Sequence, residues 1–187
     1  MERSADMGRK SGAAVALAVL ALLAGCGEPS LPLGAPVSAA PTAAPADVPS
    51  PQAQMVCQPE AQADIQDLVG VVPTQVGPLQ YANHVSTCRY AYPDGSFLLI
   101  VQDLPNDLTT TDAFDALAGK LGRVDGIDLP DANAFTTNDG SIVLRKDQKV
   151  MLVDVTGLPA TFGSPPSPRA DAARLIMKAV LGCWTGD

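Results

Sequence analysis

Four cysteines, a single histidine and scattered aspartates are the side chains of this 187-residue sequence most able to carry chemistry. The thiols of Cys26, Cys57, Cys88 and Cys183 suit acylation, disulfide formation or redox work, depending on compartment and pKa. Metal ligation is disfavoured, because there is no C-x-x-C pair and no Cys/His cluster at ligand spacing. His84 could act as the base of a hydrolase if a serine and an aspartate folded beside it. No G-x-S-x-G context supplies such a nucleophile, so no catalytic residue is assigned. Asp103 with Asp107, and Asp125 with Asp128 and Asp131, are carboxylate groupings of the kind that hold Ca²⁺ or cleave glycosides. Residues 125–131 depart from the EF-hand pattern D-x-[DN]-x-[DN]-G, and scattered acids of this kind are ordinarily solvated. Neither G-x-G-x-x-G nor a P-loop occurs, and no cofactor is expected.

Cys26 is set apart by what precedes it. Arg3, Arg9 and Lys10 lead into an apolar run from Gly12 to Leu23. A bilayer core needs about 20 such residues, so this run is too short to span and reads as the h-region of a signal peptide. Met7-Gly8-Arg9-Lys10 offers a second, cleaner start for translation. Leu23-Ala24-Gly25-Cys26 resembles the lipobox of bacterial lipoproteins, [LVI]-[ASTVI]-[GAS]-C, at all four positions. The resemblance implies that residues 1–25 are removed and that the Cys26 thiol is lipidated, with palmitate-type chains. Acylation also disposes of a thiol that would be reactive at an exposed terminus in an oxidising compartment. Two or three chains, at about 0.8 kcal/mol per buried CH₂, anchor durably where one would be marginal. The expected location is the extracytoplasmic face of the cell membrane.

Charge and composition narrow the partners. The whole chain carries a net charge of −8, and cleavage before Cys26 leaves −9. Nucleic acid and anionic membrane surfaces both call for a basic footprint, so no nucleic-acid partner is expected. From residue 26 to 55 prolines at 29, 32, 36, 41, 45, 49 and 51 alternate with Ala, Ser, Thr and Val. Such a stretch reads as a disordered, partly PPII tether, reaching on the order of 80–90 Å at about 3.1 Å per residue. Ser38 and Thr42 lie on it as sites open to O-glycosylation.

The elements that must position the remaining chemistry fall in residues 56–187. Pro59 opens a helix whose apolar stripe is Ala61, Ile65, Leu68, Val69 and Val72, ended by Gly70 and Pro73. Residues 73–83 read as loop. Val85–Tyr92 and Phe97–Val101 form a hairpin about Pro93-Asp94-Gly95. Thr111 caps a second helix with Phe114, Leu117, Ala118 and Leu121 on one face, stopped by Gly122. Ala134–Thr136, Ser141–Arg145 and Val150–Val155 make a three-stranded meander. Ser167 caps and Pro168 opens a last amphipathic helix running past Leu175, Ile176 and Val180 to Cys183. The predicted fold is α+β: an antiparallel sheet of about five strands, helices on one face, order α-β-β-α-β-β-β-α.

Removing Cys26 from the count leaves three cysteines, hence one disulfide and one free thiol, or pairing between chains. A 57–88 bridge stabilises by roughly 3.5 kcal/mol in the chain-entropy model and a 57–183 bridge by about 5, which leaves both pairings open. Cys57-Gln58-Pro59, Thr87-Cys88-Arg89-Tyr90, Pro93-Asp94-Gly95 and the later meander resemble small uncharacterised actinobacterial envelope lipoproteins. That resemblance implies Cys57 with Cys88 and leaves Cys183, the alternative partner, unexplained.

Three functional readings follow. The first is a non-catalytic, membrane-anchored module that binds a protein or envelope component. The second is a carrier of an apolar ligand between sheet and helices, where Ala118, Ala172, Ala173 and Ala179 would leave room. The third is a hydrolase built on His84.

Overall fold

The computed structural model describes residues 47–129 and 131–185. The expected signal peptide, the expected lipidation site Cys26 and nearly all of the expected tether lie outside the described residues. In chain order the elements are α1 (Pro51–Met55), α2 (Pro59–Val69), β1 (Gln75–Val76), β2 (Gln80–Ala82), β3 (Val85–Tyr92), β4 (Gly95–Asp103), α3 (Asp107–Leu121), β5 (Arg123–Leu129), β6 (Ala132–Thr137), β7 (Ile142–Lys146), β8 (Lys149–Asp154), β9 (Thr161–Phe162), β10 (Ser167–Pro168) and α4 (Arg169–Thr185). The α+β class holds, with an antiparallel sheet as its centre.

The sheet is larger than expected. Its eight strands run β1-β3-β4-β8-β7-β6-β5, with β2 also paired to β3, and β9 with β10 makes a separate two-stranded ribbon. About five strands were expected because β1 and β2 are too short to show a period and sit in what reads as loop. Asn83 and His84, at φ 52° and 62°, turn β2 into β3, with Ala82 facing Val85. That is the mirror-image geometry favoured by tight hairpins. β5, Arg-Val-Asp-Gly-Ile-Asp-Leu, has the Asp and Gly content of a connection, and no strand is expected there; cross-strand bonds to β6 make it one in spite of its composition.

Helices cover both faces of the sheet rather than one. Strand alternation explains this. Phe97, Leu99 and Val101 of β4, Ile142 and Leu144 of β7, and Met151 and Val153 of β8 share a core with α1, α2 and α4. Their neighbours Val143 and Val150 face the other way and form a second core with Phe114 of α3 and Phe135 of β6. Phe114 meets Phe135 edge-on at 5.0 Å, and the guanidinium groups of Arg145 and Arg123 lie over those two rings. The alanines of α4 are buried in close packing: Ala172, Ala173 and Ala179 are at most 5% exposed.

Two helix starts also move. Asn106, not Thr111, caps α3, its side chain accepting from the Thr109 amide at 2.9 Å. Thr111 instead receives a hydrogen bond from Arg145. Ser167 and Pro168 pair with β9, so α4 begins at Arg169. The expected tether overran the fold: Ser50 donates from its amide and hydroxyl to Asp103 at 3.0 and 2.6 Å, caps α1, and brings Ala53 and Val56 into the core. Gly70 closes α2 at φ 71°, where a Cβ would come within 2.0 Å of the Ser164 carbonyl oxygen. That approach locks the end of α2 to the segment leading into α4.

Candidate functional site

Cys57 and Cys88 are joined, with their Cα atoms 5.6 Å apart. The bridge ties the link between α1 and α2 to the middle of β3, where Cys88 is fully buried. Beside it Tyr90 of β3 donates its hydroxyl to the Val56 carbonyl at 2.7 Å, a second tie between the same two parts. The 57–183 alternative is not formed. Cys183 lies in α4 as a free thiol and donates to the Asp64 carboxylate of α2 at 3.3 Å.

That environment slows the chemistry of the Cys183 thiol. Partial burial, followed by its bond to Asp64, pushes its pKa up to about 11. Such a shift lowers the thiolate fraction near pH 8 roughly a hundredfold, and the higher nucleophilicity of the basic thiolate returns part of that. Iodoacetamide is expected to alkylate Cys183 about tenfold more slowly than an unhindered cysteine, and Asp64→Asn should speed the reaction. Equal rates in the two proteins would contradict this environment.

The other residues singled out in the sequence are dispersed. His84 sits in the β2–β3 turn, its Nδ1 3.3 Å from the Tyr81 hydroxyl. Asp103 is occupied by Ser50, and Asp107 opens α3. Asp125 and Asp128 lie on the exposed strand β5, and Asp131 in the turn after it. Among the described residues no three His, Cys, Asp or Glu side chains gather as a metal-holding group.

The structure instead brings together residues that no chemical motif marks. A cavity of about 440 Å³ lies where the end of α2, the β3–β4 turn and the β9–β10 segment meet. Its apolar wall is Val71, Val72, Tyr92, Pro93, Pro159, Phe162 and Pro166; Asp94, Thr161 and Gly163 complete it. Three local features build it. The two-residue Pro93-Asp94 turn puts Tyr92 opposite Gly95, Gly70 turns the chain so that Val71 and Val72 project past the helix, and Phe162 packs edge-on against Tyr92 at 4.8 Å. Val72 is 65% exposed, unusual for a valine beside a buried aromatic.

Tyr92 is 7% exposed, and its hydroxyl is a buried oxygen with no hydrogen-bond partner among the described residues. Burial pushes its pKa up to about 12, so it stays a neutral O–H. An unpartnered buried hydroxyl costs about 1–3 kcal/mol, and in a native protein calls for an explanation. The sequence signal for this site is thin: only the density of Pro and Gly at 157–168 set that segment apart from an ordinary connection.

No protein-family model matches the chain, and comparison with curated proteins and with solved structures returns no match.

Proposed function

We propose that the chain is a lipid-anchored, extracytoplasmic binding module that holds a protein or envelope component at the Tyr92 cavity and does not turn it over. The cavity carries the reading: it is concave and mostly apolar, with few polar groups, the usual make-up of a binding site. A compact domain stapled by Cys57–Cys88 and borne on a Pro-rich tether from Cys26 suits a module that works at a distance from its anchor. The hydrolase reading has little support, since the neighbour of the His84 ring is a tyrosine hydroxyl rather than a serine–carboxylate pair.

Site-specific photo-crosslinking in intact cells tests this reading. A benzophenone side chain at position 72 is expected to give crosslinked products that the same group at position 124 does not. Val72 and Val124 are both exposed, but only Val72 lines the cavity. Identical patterns from the two positions, or none from either, would overturn the reading.

A further inference from the structure

We propose that a second cavity, beside the first turn of α3, binds a small zwitterion: an amino acid or short peptide with a free ammonium and a free carboxylate. It is independent of the Tyr92 cavity and holds about 440 Å³, room for a dipeptide. Regular elements build it. Asn133 of β6 and Arg145 of β7 are register partners, two residues from Phe135 and Val143, so they share the sheet face that α3 covers. Asp107 and Thr111, one turn apart on α3, line one side. Asp131 and Asp147 line it from the turns that close β5–β6 and β7–β8.

Arg145 is already held in position. Its guanidinium lies 5.9 Å over the Phe114 ring and donates to the Thr111 hydroxyl, which in turn donates to the Asp107 carbonyl at 2.8 Å. That uses a fraction of its N–H groups and leaves an edge free for a carboxylate. The charges around it stay open. Arg145 and Lys146 line the cavity together with three aspartates, yet among the described residues the one side-chain ion pair is Arg174–Asp171, outside it. The same acids do not gather as a metal-holding group among the described residues. A simple anion would be drawn by Arg145 and repelled by Asp107, Asp131 and Asp147; a simple cation would meet the reverse. A ligand carrying both charges satisfies both sets, its carboxylate on the Arg145 fork and its ammonium on the turn carboxylates.

The test is an NMR titration of the full chain in detergent micelles with alanyl-alanine, its N-acetyl form and its C-terminal amide. The dipeptide is expected to shift the backbone amides of residues 107–111, 131–133 and 145–147 saturably. Each blocked form should bind about tenfold more weakly, the worth of one hydrogen bond to a charged group. Arg145→Gln should weaken the dipeptide to the level of its amide, so that those two bind alike. Asp131→Asn combined with Asp147→Asn should do the same for the dipeptide and its N-acetyl form. Both turn positions have positive φ, 52° and 51°, which asparagine accepts, so this variant keeps its fold even if the loss of Arg145 disturbs the packing over Phe114. Equal binding of the three probes, discrimination untouched by the substitutions, shifts confined to other residues, or no saturable shift at about 10 mM dipeptide would overturn the proposal. Crosslinks from position 72 report on the Tyr92 cavity alone, so either site can fail without the other.

Discussion

Replacing Cys57 and Cys88 together by alanine is expected to lower the stability of the folded domain by about 3.5 kcal/mol at 25 °C. The bridge closes a loop over a sequence separation of 31, and that loop is what the unfolded chain regains when the link is lost. The cost is large beside a total stability of about 5–15 kcal/mol for an ordinary domain. It falls on one joint, because α1 and α2 otherwise reach β3 through the Tyr90–Val56 hydrogen bond and apolar packing. Urea unfolding of the two proteins measures it. The midpoint should fall markedly in the double variant and stay put in Cys183→Ala, whose thiol is unbridged. A double variant that unfolds at the parent's midpoint would show that the staple contributes nothing.

Phe97→Ala is expected to cost a further-ranging 3–5 kcal/mol, about the usual loss for a buried phenylalanine. Phe97 is 1% exposed and stacks on Tyr90 with ring centroids 4.7 Å apart, their planes within 8°. It also stacks on Tyr92 at 6.0 Å. Truncation therefore opens a cavity under two aromatic rings at once, one of which holds the α1–α2 joint while the other walls the pocket. Thermal unfolding should show a drop in Tm on the order of 10 °C, given roughly 2–4 °C per kcal/mol at this size. Leu108→Ala is the contrast: Leu108 is 72% exposed, and its loss should change stability by no more than about 0.5 kcal/mol. Equal effects from the two would contradict the core described here.

How much of this was legible in the sequence depends on the length of the pattern that carried each element. α2 reads from Pro59 to Gly70 because a proline at its first position and a left-handed glycine at its end bracket the buried stripe Ala61, Ile65 and Val69; Leu68, expected on that stripe, is exposed, and Val72 lies beyond the helix. The β3–β4 hairpin reads from Pro93-Asp94-Gly95, whose turn chemistry is local. β5 is not legible in the sequence because its strand character is conferred by β6, not by its own residues. The second face of the sheet was hidden in plain view: Ile142-Val143-Leu144 and Val150-Met151-Leu152-Val153 are unbroken apolar runs, the mark of strands covered on both sides. Those runs need cover on both faces, and α3 supplies it on the face opposite α1, α2 and α4. Ser50 was assigned to the tether because its bond to Asp103 spans 53 residues of sequence. The Tyr92 cavity was illegible for the same reason, assembled from three segments that meet only in the fold.

The proposed location, tether and partner class all depend on lipidation of Cys26. The most direct measurement is metabolic acyl labelling with membrane fractionation of the chain and its Cys26→Ser variant, with and without globomycin. The parent is expected to carry acyl label and sediment with membranes, globomycin to block its processing, and Cys26→Ser to lose both label and membrane association. A Cys26→Ser protein that remains equally labelled and equally membrane-bound would contradict lipidation at Cys26.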